Sequence, residues 1–443
     1  MSGPNEAARR IVHLGVGALA ILLRYLTPWQ AACFAAAAFL FNRFVLPTVA
    51  PSLFRAEERH HPWRSGIVVY PVAVLLLIVL FRDRMDVVAA AWGLLAAGDS
   101  LAGAIGRRYG RRPIPWNDSK SLIGMAAFAI GGSAAAWGLL VWMGRGPLEA
   151  ALLAVPAGFF GSFVESLPWG LNDNLTVPLL SALFLRGLLE VDPARLASGG
   201  TDLRDAFLLG VLLNFPLAYL ARRAGAVDRS GMVAGFVVGV ATYTFAGGRG
   251  FLVLLSFFVL GSATTFLGYR RKLRAGTAQG KGGARSARHA LANCGAGVYL
   301  AFLLAFAATP SIIALAFVCS YATAAFDTVS NEVGQLYGGR PFLITTLRPV
   351  AAGTNGAVSF VGTLAGVLAA AAVGWVAEAT GLLRPDLMPI AVAAAFVGST
   401  VDSVLGATLE ARGLMGNHEV NFSNTLAGAL TGIGLAVLVS APV

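Results

Sequence analysis

Asp99 lies in an apolar run, where an ionised carboxylate is costly unless something compensates it. Downstream, Ala102 or Gly103, Gly106 and Gly110 recur at three- and four-residue steps. On a helix these positions share one face, with an acid at one end and almost no side chains above it. Arg107, Arg108, Arg111 and Arg112 follow, then Lys120 and Gly124. An acid can hold Mg2+, glycines let a phosphate chain approach the backbone, and cations neutralise phosphoryl charge. Phosphoryl transfer needs these things and little covalent help. Small residues also serve helix packing in membranes, and basic loops set topology. Packing, however, needs no acid.

A second set begins at Asp327, with Ser330, Glu332, Gly334 and Gly338, and continues to Arg340 and Arg348. The run Gly353-Thr354-Asn355-Gly356 follows, and is expected to open the next apolar helix. Backbone N–H groups at a helix start form an anion site. The other reading is an ordinary start capped by Thr354 or Asn355. Further acids and amides are Glu165, Asp173 and Asn174, then Asp402, Glu419 and Asn424. They could complete a metal site, bind ribose or be solvated loop residues; Glu419 reads as solvated. Gly276-Thr-Ala-Gln-Gly-Lys281 is one residue short of a P-loop and lacks the Ser or Thr after the Lys, so it reads as a basic loop. The five histidines show no zinc-like pairing, and His13 reads as a headgroup contact before a general base.

The two sets form a repeat. Asp99, Gly106, Tyr109 and Gly110 share their offsets with Asp327, Gly334, Tyr337 and Gly338. Gly161-Ser-Phe-Val-Glu-Ser166 then matches Gly398-Ser-Thr-Val-Asp-Ser403, and Asp173-Asn-Leu is followed in the same order by Ser423-Asn-Thr. Such self-similarity organises a chain before any other feature. The Asp helices are the fourth and twelfth apolar stretches in our reading, so both have the same orientation and the repeat is parallel. The boundary is expected near Ser198-Gly-Gly-Thr201, giving domains 1–200 and 201–443.

The elements that must carry these motifs are membrane helices. Hydrophobic residues make up 57% of the 443 and charged ones 12%, against about 25% charged in a soluble chain. About fifteen apolar stretches have the length needed to span a bilayer, and backbone in lipid must be helical. The expected fold is therefore an all-α polytopic membrane protein with about 15 transmembrane helices in two parallel homologous repeats. Net charge is +11, yet its distribution argues against nucleic acid. With loops assigned alternately, one side holds about 23 Lys and Arg against about 8 on the other, the positive-inside pattern. That places the N-terminus, the loops around Arg59, Arg111, Asn172, Arg223, Arg271, Arg340 and Arg412, and all the motifs on the cytoplasmic side of the inner or plasma membrane. Cys33, Cys294 and Cys319 each lie in an apolar run and read as buried small hydrophobes before a disulfide framework or a metal site. The first apolar segment reads as a retained helix, since no small-residue cleavage site follows it.

Asp99-Ser-Leu-Ala-Gly-Ala-Ile-Gly-Arg-Arg-Tyr-Gly-Arg-Arg followed by Lys120-Ser-Leu-Ile-Gly124 resembles the nucleotide motif of the CTP-dependent polyprenol kinases, the dolichol kinase and phytol kinase family. Arg10-Ile-Val-His13, Glu165 and Asn172-Asp-Asn-Leu-Thr-Val-Pro178 extend the likeness over residues 8–190. Pro113 stands where that family has Lys, a role Arg111 or Arg112 could take, and Ile123 stands where it has Glu. Residues 205–440 resemble the family containing plant phytyl-phosphate kinase. The likeness rests on Phe257-Phe-Val-Leu-Gly-Ser-Ala-Thr-Thr265, the Asp327 motif, Ile344-Thr-Thr and Gly353-Thr-Asn-Gly-Ala-Val-Ser359. The resemblance implies a fusion of the two kinases, CTP as donor, Mg2+ as cofactor, and successive phosphorylation of a long-chain isoprenoid alcohol to its mono- and diphosphate. On that reading Asp99 and Asp327 anchor Mg-nucleotide, and Lys120, Arg111 and Arg348 neutralise phosphates. Glu165, Asp173, Asn174, Glu332, Asp402 and Asn424 complete the metal sites. Ser330, the motif glycines and Gly353–Gly356 contact the nucleotide. The rivals are a cytidylyltransferase making a CDP-lipid and a lipid transporter or flippase. The partners implied are the membrane-embedded alcohol, its monophosphate and CTP, with the oligomeric state, homo-oligomer included, left open.

Overall fold

The computed structural model describes residues 12–51, 54, 65–276 and 281–439. The basic loop around Arg59, Arg10 and residues 277–280 of the P-loop-like stretch lie outside the described residues. The chain divides into two compact units, Met1–Leu189 and Glu190–Val443. The stretch expected as a linker is helical on both sides of Gly199, in Pro193–Ser198 and Gly200–Arg223.

Among the described residues, 11 helices are long and apolar enough to cross a membrane, and the chain is an integral membrane protein. The difference from about fifteen has a geometric cause. Val12–Arg24, Gly66–Leu80 and Asp173–Leu188 are apolar but rise only about 20–24 Å, short of the ~30 Å hydrocarbon core. The stretches centred on Val238 and Leu255 lie in Arg229–Phe266, one of the 11, which Gly247 at φ 64° breaks into two helical segments, so both stretches are present there.

In the first unit, α1 (Val12–Arg24), α2 (Pro28–Val49) and α3 (Gly66–Leu80) precede α4 (Met85–Tyr109). A hairpin of β1 (Pro113–Ile114) and β2 (Asn117–Ser121) leads to α5 (Leu122–Trp142), α6 (Pro147–Ser166) and α7 (Asp173–Leu188). The core centres on α4, where Val87 through Leu95 are all buried. Ser121 caps α5 by accepting from the Gly124 amide at 3.2 Å. This cap brings α5 hard against α4. A Cβ on Gly106 would stand 3.3 Å from both Gly124 Cα and Ser121 Oγ, so bare backbone is what permits the contact.

In the second unit, α8 (Pro193–Ser198), α9 (Gly200–Arg223), α10 (Arg229–Phe266) and the short α11 (Tyr269–Arg274) lead to α12 (Ala287–Phe306) and α13 (Pro310–Tyr337). A hairpin of β3 (Phe342–Leu343) and β4 (Ala357–Val358) precedes α14 (Phe360–Ala379), α15 (Pro385–Glu410) and α16 (Asn417–Leu438). Here α13 is the buried centre. Ser359 caps α14 by accepting from the Gly362 amide at 3.1 Å, and a Cβ on Gly334 would stand 3.0 Å from Ser359 Oγ and 3.6 Å from Gly362 Cα. One contact swaps its partners between the units. Phe128 fills the space left by Gly98 in the first, and Phe326 fills the space left by Gly366 in the second.

Candidate functional site

The first unit contains an open cavity of about 1530 Å³. Leu19, Leu22, Phe34, Phe41, Val74 and Ile78 give it apolar walls, while His13, Asp99, Lys120, Glu165, Asp173 and Asn174 make it polar elsewhere. Local structure explains how these polar groups converge. Asp99 stands on α4, and Lys120 is delivered by β2. The hairpin is tied to the end of α6 by Trp116 Nε1 donating to Ser166 Oγ (3.1 Å) and Asn117 Nδ2 donating to the Ser166 carbonyl (3.0 Å). Glu165 is therefore beside Lys120. Asn172 caps α7 by accepting from the Asn174 amide at 3.0 Å, which sets Asp173 on the same side. The Lys120 ammonium pairs with Glu165 and, at 3.1 Å, with Asp173. Burial disfavours the ammonium, but the charges of Asp173 and Glu165 outweigh it and raise its pKa above the ordinary lysine value.

Asp99 is 41% exposed, and His13 Nε2 lies 3.8 Å from its Oδ2. The His13 ring packs edge-on against Tyr70 at 4.6 Å, and Tyr70 OH accepts from Trp92 Nε1 at 2.8 Å. His13, read from sequence as a headgroup contact, thus faces the acid. Gly106, Gly110 and Gly124 border the cavity while packing α4 on α5. Arg111 is exposed in the turn after α4 and does not border it.

In the second unit Asp327 is buried on α13, accepting at Oδ1 from Asn331 Nδ2 (3.1 Å). The Asp402 carboxyl, on α15, lies within hydrogen-bonding reach of it. Asn424 on α16 donates through Nδ2 to Asp402 Oδ1 at 2.8 Å, while its own Oδ1 is buried with no hydrogen-bond partner among the described residues. Two carboxyls in contact must share a proton or a cation. Two carboxylates plus an orphaned amide oxygen form an oxygen donor set suited to a hard divalent cation. Asp327, Asp402 and Asn424 are therefore brought together.

Other expected members are placed elsewhere. Glu332 is paired with Lys272, which also donates to the carbonyls of Thr264 (3.1 Å) and Thr265 (2.8 Å). The Ser330 hydroxyl donates back to the Asp327 carbonyl at 3.0 Å. The space over Gly334, expected to be open, holds Ser359 and Gly362, and a Cβ on Gly338 would meet Ser359 Cβ at 2.8 Å. Gly353, Thr354, Asn355 and Gly356 form the turn entering β4, so the helix cap is Ser359 and not Thr354 or Asn355. Gly356, at φ 75°, lies against Ser403 and Ala407, where a Cβ would be 2.5 Å from the Ala407 amide nitrogen. Arg348 is exposed. Glu419, expected in solvent, is 6% exposed at the start of α16. Lys272 and Arg285 carry no local sequence signal that sets them apart. Each lies in a basic segment that topology alone explains, and nothing local marks which cation turns inward.

The family described as Integral membrane protein DUF92 matches residues 212–429, inside the second unit. An uncharacterized membrane protein of Synechocystis is 38% identical over 203 residues, 45% of this chain and 79% of that protein. A protein named Probable phytol kinase 3, chloroplastic, of Glycine max is 30% identical over 193 residues, 40% of this chain and 60% of its own. CTP-dependent diacylglycerol kinase 1 of Schizosaccharomyces pombe is 31% identical over 158 residues, 33% of this chain and 67% of that protein. No solved structure gives a significant match. The chain belongs to the integral membrane protein family DUF92.

Proposed function

We propose that this protein is a CTP-dependent lipid kinase that phosphorylates a long-chain isoprenoid alcohol in its first unit and the resulting monophosphate in its second. The observation that carries the reading is the first unit's cavity, whose apolar walls suit a lipid chain and whose polar groups include Asp99 and Lys120. Relatives named phytol kinase and CTP-dependent diacylglycerol kinase support CTP and a lipid alcohol. The like placement of Ser121, Gly106 and Gly124 with Ser359, Gly334 and Gly362 supports two parallel repeats, the first phytol kinase-like and the second phytyl-phosphate kinase-like.

In the first step the alcohol oxygen attacks the terminal phosphorus of CTP. Its bond to the bridging oxygen breaks, CDP leaves, and the hydroxyl proton is released. In the second step a monophosphate oxygen attacks a second CTP in the same way. Mg2+, when bound, would supply positive charge that offsets the donor's phosphoryl charge. Asp327, Asp402 and Asn424 would hold it in the second unit, and Asp99 in the first, where Glu165 and Asp173 hold Lys120 in place. Both sites are read as opening to the cytoplasm, from the positive-inside distribution of Lys and Arg.

The test uses purified full-length protein, a panel of prenols, and CTP labelled at the α or the γ phosphate. The expected result is γ label in a lipid mono- and diphosphate, with CDP released. Retention of α label in the lipid would mean a CDP-lipid and a cytidylyltransferase; no labelled lipid at all would leave transport. Asp99→Asn should abolish use of the alcohol and spare the monophosphate, whereas Asp327→Asn should make the monophosphate accumulate. Loss of both steps in either folded variant would refute separate sites.

A further inference from the structure

Among the described residues of the second unit, Arg285 is a half-buried cation with no part in the steps proposed for it. Its backbone is held firmly: its amide donates to the Ala226 carbonyl and its carbonyl accepts from the Asp228 amide, both at 3.0 Å. The next residue, Ser286, forms a capping box with His289 at the start of α12. The guanidinium lies over the Phe257 ring, 5.7 Å from its centroid. Gly261 makes room for it, since a Cβ there would stand 2.7 Å from Nη2. Backbone and ring thus fix a half-buried guanidinium between Phe257 and Gly261.

Its charge is not matched. Glu332 and Asp327 are near enough for their charges to act on it, yet among the described residues no carboxylate forms an ion pair with it. Glu332 is engaged by Lys272 through Oε2, with its Oε1 buried and without a hydrogen-bond partner among the described residues, and Asp327 is engaged by Asn331 and Asp402. Burial pushes the Arg285 pKa down, as expected for a cation drawn out of water. A guanidinium in that position, with its fork of donors uncommitted, is unfavourable unless an anion completes it. A phosphate group is the anion whose geometry matches the fork bidentately.

We infer that Arg285 is the phosphate-binding cation of the second unit, receiving a phosphate group presented beside the Asp327–Asp402 pair. The inference rests on the kinase reading for what the phosphate belongs to. That phosphate is the terminal group of CTP or the monophosphate of the lipid, and the experiment separates the two.

Full-length wild-type, Arg285→Lys and Arg285→Met proteins are compared in the monophosphate-consuming step, with KM determined separately for CTP and for geranylgeranyl monophosphate. Arg285→Lys keeps the charge and the stem but loses the fork, so it carries the test if Arg285→Met fails to fold. The expected result is a rise of about tenfold or more in one KM, with the alcohol-consuming step unchanged. A rise confined to the monophosphate assigns Arg285 to the acceptor, and one confined to CTP assigns it to the donor. Both KM values at wild-type level in a folded Arg285→Lys, or failure of that variant to fold, would show a packing residue and overturn the inference. If wild-type protein turns nothing over, the kinase reading has failed. The inference is then judged on direct binding of geranylgeranyl monophosphate, which Arg285→Lys must weaken.

Discussion

Asn424 donates its amide to Asp402 at 2.8 Å and keeps its own carbonyl oxygen buried without a partner among the described residues. A buried carbonyl left in this way is costly unless a ligand uses it, and a cation shared with Asp402 and Asp327 would do so. Asn424→Ala should shift the Mg2+ dependence of monophosphate consumption to severalfold higher concentration and leave alcohol consumption alone. A Mg2+ titration of each step checks this. An unchanged titration, with only thermal stability reduced, would make the amide a structural strut of α16.

Gly334 was expected to leave a face open for nucleotide, and in the structure Ser359 and Gly362 occupy that face. Gly334→Leu should therefore overpack the α13–α14 contact and destabilise the protein by roughly 1–3 kcal/mol. The shift in melting temperature on adding CTP and Mg2+ should survive. A normal apo melting temperature with that shift abolished would put the nucleotide against Gly334 after all.

The buried Lys272–Glu332 pair ties α11 to the helix that carries Asp327. Removing one partner strands the other, so Lys272→Met or Glu332→Leu alone should cost ~3–5 kcal/mol. The double variant should regain at least half of the loss, because two apolar side chains need no counter-charge. Denaturation of all four proteins in one detergent measures the coupling. A double variant no better than Lys272→Met would assign the energy to the bonds that Lys272 makes to the Thr264 and Thr265 carbonyls.

Topology can be read at Arg412, an exposed residue between α15 and α16. Cys294 and Cys319 are buried as expected, but Cys33 is exposed on α2, so Cys33→Ala removes the accessible thiol. In that background Arg412→Cys should react with an impermeant maleimide in inside-out vesicles and not in intact cells. Labelling of intact cells would invert the assignment of every motif.

Much was legible in the residues because it is local. Apolar runs of spanning length, the Asp-to-Gly offsets repeated after Asp99 and Asp327, and the acids and amides after each depend only on order along the chain. Periodicity reports which side chains share a helix face. It does not report what stands opposite that face. Lys120 meets Glu165 and Asp173 across separations of 45 and 53 residues, and Lys272 meets Glu332 across 60. Nothing in a basic segment distinguishes the cation that turns inward from those that set topology. The motif glycines are ambiguous for the same reason, since a missing side chain admits a phosphate or a neighbouring helix equally well. The serine caps at Ser121 and Ser359 decide between the two, by starting the next helix where it must lie against Gly106 and Gly334. The exchange of Gly98 and Phe128 for Phe326 and Gly366 is a contact that sequence alone could not display. Helices and their motifs follow from interactions a few residues apart. The site follows from which helices pack together, and that is settled by the fit of surfaces distant in sequence.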